Sequence, residues 1–143
     1  MSKLDVSKQH QLLTLYCWGN NLTSLDISNN ENISYLSCYD NNLTSLDLTH
    51  LKYLVRAYVS YNPLGSLDVT KNSYLEVLYC CLNELKTLDV SHNPKLQYLR
   101  FFDNDITEID LSQNPDLTTT TITIEYTNRG YLQSIDFYSV SEG

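Results

Sequence analysis

An apolar residue followed by aspartate recurs every 21 residues, as Leu4-Asp5, Leu25-Asp26, Leu46-Asp47, Leu67-Asp68, Leu88-Asp89 and Ile109-Asp110. Longer phrases surround these pairs. Asn20-Asn21-Leu22-Thr23-Ser24-Leu25-Asp26-Ile27-Ser28 returns as Asn41-Asn42-Leu43-Thr44-Ser45-Leu46-Asp47-Leu48-Thr49, and in worn form at residues 62–70, 83–91 and 104–112. Self-similarity at a fixed period of this length is the signature of a solenoid, in which each repeat is one coil and only the stack is stable.

Within a coil the apolar anchors also recur. The first coil carries Leu4, Val6, Leu12, Leu15, Cys17 and Leu22, and the second Leu25, Ile27, Ile33, Leu36, Cys38 and Leu43. Around Leu15-Tyr16-Cys17 the alternation has period two, which predicts a short strand with two residues pointing inward. Equivalent strands stacked at about 4.8 Å form one parallel sheet. The Leu25-Asp26-Ile27 type of alternation predicts a second short strand or a turn on the convex side. A return of ~10 residues rich in Ser, Asn and Pro is too short for a stable α-helix. The expected fold is therefore mainly β, with few or no α-helices. Residues 1–117 supply coils starting at 4, 25, 46, 67, 88 and 109. Residues 118–143, where the repeat dissolves into a Thr-rich run, the turn-like Asn128-Arg129-Gly130 and a late Ile135-Asp136-Phe137, are expected to form a degenerate last coil and a β cap.

Written as Leu-x-x-Leu-x-Cys-x-x-Asn-x-Leu-x-x-Leu-Asp-Val-Ser, the pattern resembles the leucine-rich repeat. Its 21-residue length and the cysteines at 17, 38 and 80 resemble the internalin J type of bacterial surface repeat, over roughly residues 4 to 117. That resemblance implies a ladder of stacked cysteines, interrupted here by Val59 and Phe101, and an extracellular or cell-surface protein. It also implies a helical cap before the first repeat, which this sequence does not carry. The chain starts inside a repeat, with no leader before Leu4-Asp5-Val6, which points to a piece of a longer protein. An open N-terminal edge bearing Leu4, Val6, Leu12 and Leu15 would be prone to self-association.

Three columns invite chemical readings. Asn20, Asn41, Asn62, Asn83 and Asn104 fit a structural role, a carboxamide at a bend satisfying backbone groups that the sheet leaves unpaired. The aspartate column (5, 26, 47, 68, 89, 110, with Asp136 as a candidate seventh) fits carboxylates that accept from the following Ser or Thr. A calcium ladder is the alternative, although one carboxylate per coil falls short of the six to eight oxygens calcium takes. Cys17, Cys38 and Cys80 share one inward register, where parallel side chains do not meet, so free buried thiols are expected. Cys81, one residue on, has an outward register and is the candidate reactive thiol.

Catalysis finds no support. His10, His50 and His92 fall on convex turns, no nucleophile has a base at a matching register, and four glycines form no phosphate loop. No catalytic residue, cofactor or metal is assigned. A net charge of −8 argues against nucleic acid, and no apolar run approaches the ~18 residues of a membrane span. Function is expected on the outward strand positions, which depart from the repeat consensus: Tyr16 and Trp18, then Tyr35 and Tyr39, then Arg56, Tyr58 and Tyr61, then Tyr79, then Tyr98, Arg100 and Phe102. Of sixteen aromatics (one Trp, twelve Tyr, three Phe), nine fall on this face. Tyr, Trp and Arg dominate binding hot spots. The expected function is protein recognition on the concave face, with glycan binding and a structural spacer as alternatives.

Overall fold

The computed structural model describes residues 1–117, together with the backbone of two further strands at 124–126 and 132–135. Five three-residue strands follow one another at the period of the repeat: β1 (Thr14–Tyr16), β2 (Tyr35–Ser37), β3 (Arg56–Tyr58), β4 (Val77–Tyr79) and β5 (Tyr98–Arg100). They form one parallel sheet in the order β1-β2-β3-β4-β5. Leu15 pairs with Leu36, Leu36 with Ala57, Ala57 with Leu78 and Leu78 with Leu99, so the register steps by one repeat at every strand. No helix occurs among the described residues, and none is long and apolar enough to cross a membrane. The convex returns are turns rather than strands.

The core is one continuous column under the sheet. Leu36, Leu78 and the Leu22-Leu43-Leu85 series are fully buried, as are Ile33, Leu54, Leu75 and Leu96 from the convex side. The sixth coil begins in register, with Ile109, Leu111 and Leu117 packed against the same core. Beyond it, β6 (Ile124–Tyr126) and β7 (Leu132–Ile135) pair antiparallel, with an irregularity between Glu125 and Tyr126. The Thr-rich run, the Asn128-Arg129-Gly130 turn and Asp136 lie outside the described residues.

The asparagine column that follows each strand does what a buried carboxamide at a bend should do. Asn62 Nδ2 donates to the Cys38, Val59 and Ser60 carbonyls at 3.1, 3.1 and 3.2 Å, while its Oδ1 accepts from Leu43 N–H at 3.0 Å. Asn41 and Asn104 repeat the arrangement, and Asn20 at the edge is half-exposed, its carboxamide bonding only within its own coil. Asn83 departs from it. Its Oδ1 accepts from Asn62 N–H at 3.1 Å, but its buried Nδ2 has no partner. The preceding coil turns here through Pro63 and Gly65 (φ +70°), and Leu64 N–H bonds to Asn62 O instead.

A second asparagine column, legible in the sequence at the same spacing, lies on the convex turns. Asn30, Asn72, Asn93 and Asn114 are buried, and each donates Nδ2 at 2.8–2.9 Å to two carbonyls of the coil before. In the third coil Leu51 stands at this position. There His50 Nε2 reaches the Ile27 carbonyl at 2.9 Å, the one an asparagine at 51 would have engaged.

The aspartates are Asx-turn acceptors. Asp26, Asp47, Asp68 and Asp89 each take the backbone N–H (2.9–3.0 Å) and the hydroxyl (2.6–2.7 Å) of the Ser or Thr two residues on. Those bonds hold the carboxyls below their ordinary value of 3.8, the side-chain bond contributing most.

Candidate functional site

Pleating sends every second strand residue outward, and the constant register aligns those residues into rows across the concave face. The central row is Tyr16, Ser37, Tyr58, Tyr79 and Arg100. Ser37 is too small to continue it, and the ring of Tyr35 fills the gap. Tyr35 lies 5.0 Å from Tyr16 and 5.4 Å from Tyr58, centroid to centroid, and Ser37 is buried. Tyr58 then meets Tyr79 edge-on at 5.0 Å and 82°, and the Arg100 guanidinium sits 5.0 Å from the Tyr79 ring centre. Five side chains thus form an unbroken chain of ring and cation–π contacts across the sheet. Burial raises the Tyr35 phenol to about 12, and hydrogen bonding with Tyr16 adds to the effect.

Outside this row lies a second, formed by Trp18, Tyr39, Ser60, Cys81 and Phe102. Trp18 and Tyr39 stack face to face at 5.3 Å and 4°. Ser60 and Cys81 are buried, and between Tyr39 and Phe102 they leave a notch of about 260 Å³. Tyr61, 51% exposed, projects beside it. Arg56 and Tyr98 are exposed on the other side of the central row. Each sequence-predicted aromatic therefore lies on one surface. Tyr16 and Tyr35 join the ring chain, whereas Arg56 and Tyr98 stand outside the notch.

Two corrections concern this region. Cys81 has the outward register expected of it, yet it is only 3% exposed, because it lies at the bottom of the notch between the larger side chains of Tyr79 and Phe102. Burial raises its thiol to about 11, so it is not the reactive cysteine that register alone suggested. The notch itself was not anticipated. Its signal was available, as two small residues in a column otherwise filled by Trp, Tyr and Phe.

The backbone beneath is unusual at the same place. The residue before each column asparagine is left-handed: Gly19, Asp40, Tyr61, Leu82 and Asp103 have φ of 65°, 57°, 58°, 51° and 53°. Glycine and aspartate tolerate that region, whereas Tyr and Leu do so at a cost of about 1–2 kcal/mol. Glu84 is left-handed too, at 60°, so three such residues lie in the third and fourth coils.

Cys17, Cys38 and Cys80 are free and buried, and share one inward column with Val59 and Phe101. Desolvation raises Cys17 to about 11 and pushes Cys38 and Cys80 higher still. The histidines do not converge. His10 faces Asn29 O, His50 holds Ile27 O, and His92 contacts Ser91. Among the described residues no group of three or more His, Cys, Asp or Glu is arranged to hold a metal ion.

One parallel sheet of in-register strands, turned returns and a continuous leucine column define a leucine-rich repeat solenoid. The family model described as Leucine Rich repeat matches residues 20–36 and 92–112. The chain is a leucine-rich repeat protein resembling the repeats of bacterial internalins. The functional domain of InlJ from Listeria monocytogenes, which includes a cysteine ladder, superposes with a TM-score of 0.82 at 37% identity, over 83% of this chain and 27% of that one. A leucine-rich repeat protein of Leptospira interrogans gives 0.73 at 27% identity, over 77% and 31%. Internalin InlF from Listeria monocytogenes shares the fold, with 0.71 at 20% identity, over 80% and 36%. The chain spans about a third or less of each solved neighbour. No curated protein sequence matches it. Such repeats are generally interaction modules.

Proposed function

We propose that this chain is a non-enzymatic recognition module that binds a protein through its concave aromatic face, within a bacterial protein that is secreted or displayed at the cell surface. The carrying observation is the unbroken chain from Tyr16 through Tyr35, Tyr58 and Tyr79 to Arg100. Aromatics favour strands for packing alone. Here, however, Tyr16, Trp18 and Tyr61 remain 60%, 50% and 51% exposed, in a surface enriched for the residue types that anchor interfaces. The surface location rests on the likeness to internalin repeats. In this reading residues 118–143 cap the solenoid, and Cys17, Cys38 and Cys80 form an interrupted ladder. Self-association would run through the edge of β1.

The test compares two faces. A partner captured from surface extracts is titrated against Tyr58→Ala/Tyr79→Ala and against Lys71→Ala on the convex side. Each ring contact contributes ~0.5–1.5 kcal/mol, so the double variant is first shown to be folded by circular dichroism at the assay temperature. Binding weakened by 30-fold or more, the scale of about 2 kcal/mol, in the double variant alone supports the concave face. Loss in Lys71→Ala alone overturns it. Binding to immobilised glycans but to no protein would replace the proposed partner class.

A further inference from the structure

We propose that the notch between Tyr39 and Phe102 is a socket for one apolar side chain of the partner protein, flanked in that partner by a carboxylate that pairs with Arg100. This inference rests on the protein-binding reading and specifies what the central contact is. Size comes first. At about 260 Å³ the notch has room for a single large side chain. Its shape follows from the register. Tyr39 and Phe102 stand three coils apart, roughly 14 Å at the strand spacing, and the intervening Ser60 and Cys81 are short. Tyr58 and Tyr79 close the side toward the central row. A knob entering here meets ring on several sides and a floor with no free charge.

The polar groups at the notch are hydroxyls and one guanidinium. Ser60 Oγ accepts from Cys81 N–H at 3.0 Å, and its hydroxyl also bonds the Cys81 side chain. The phenols of Tyr39 and Tyr61 can donate or accept, whereas the Arg100 guanidinium only donates. Arg100 makes no ion pair with a described residue, and its contact with the Tyr79 face, 5.0 Å from the ring centre, leaves its edge for a carboxylate. Among the described residues lining the notch Arg100 alone carries a charge, so it offers an anionic group of the partner a place to pair, with Asp103 near Cys81 confining that group to the Arg100 side.

The probe is N-acetyl-phenylalanine, which carries an aromatic knob beside a carboxylate, compared with N-acetyl-phenylalanine amide. Both are titrated into isotopically labelled protein and followed by backbone amide shifts. The acid should bind saturably at residues 58–61, 79–82 and 100–103, about three- to fivefold more tightly than the amide, the scale of an exposed ion pair. Arg100→Gln should bring the acid down to the amide. Cys81→Phe, which places in the notch the residue that its column already holds at 102, should abolish both. Arg100→Gln lies on the surface and remains informative if Cys81→Phe does not fold. The proposal is overturned by shifts that do not saturate or lie elsewhere, by equal binding of acid and amide to the native chain, or by undiminished binding to folded Cys81→Phe. Partner binding that depends on Tyr58 and Tyr79 while the fragment fails to bind would sink the socket alone. Convex-face dependence would sink the wider reading.

Discussion

Asn62→Ala and Asn72→Leu remove buried carboxamides from the same solenoid, and hydrogen-bond accounting separates their costs. Asn62 Nδ2 is the partner of the Val59 carbonyl, and Asn62 Oδ1 is the partner of Leu43 N–H. The Cys38 carbonyl keeps Asn41. Truncation therefore orphans one buried donor and one buried acceptor, each costing ~1–3 kcal/mol, for a total of ~2–6 kcal/mol. Asn72 donates to the Leu48 and Leu51 carbonyls, but these also accept from Leu51 N–H (3.1 Å) and Leu54 N–H (3.2 Å). Its loss orphans neither, and it removes a buried Oδ1 that has no partner. Leucine fits the position, since Leu51 occupies the equivalent one and is fully buried. The expected cost is under ~1 kcal/mol. Urea unfolding followed by circular dichroism gives both values from midpoints at a common slope. Equal midpoint shifts, or the larger shift for Asn72→Leu, would refute the reasoning that unpaired groups rather than lost bonds set the cost.

Two other predictions concern titration. With Cys17 and Cys81 raised to about 11 and Cys38 and Cys80 raised further by burial, thiol reagent at pH 8 should label the folded protein slowly at all four sites. Four thiols should titrate in denaturant, and rapid single-site labelling at Cys81 would contradict its burial. The aspartates at 5, 26, 47, 68, 89 and 110 have folded pKa values below 3.8. Their stabilisation is fully present above the unfolded value and fades as pH falls through the depressed folded values. The urea midpoint should hold steady from pH 7 to about 5 and drop below about pH 4. A midpoint that rises on acidification would show that repulsion along the column outweighs the turn bonds.

Much of this molecule was readable before folding because a solenoid repeats one local solution. The 21-residue period dictated the number of coils, the strand at Leu15, Leu36, Ala57, Leu78 and Leu99, the inward cysteines and the outward tyrosines. Each follows from pleating and from the need to bury one face, which are properties of a single coil. The convex asparagines at 30, 72, 93 and 114 are legible in the same way, since they keep the same 21-residue spacing except at Leu51. Other features were not local. Cys81 is outward by register and buried in fact, because what covers a residue on a parallel sheet belongs to the coils on either side, 21 residues away in each direction. Tyr35 leans across Ser37, and Ser60 with Cys81 opens a notch between Tyr39 and Phe102, for the same reason. Period and polarity determined which face each side chain takes. Only stacking decided which rings touch, which thiol is covered and where the face is hollow, because those depend on size differences between neighbouring coils that no single repeat contains.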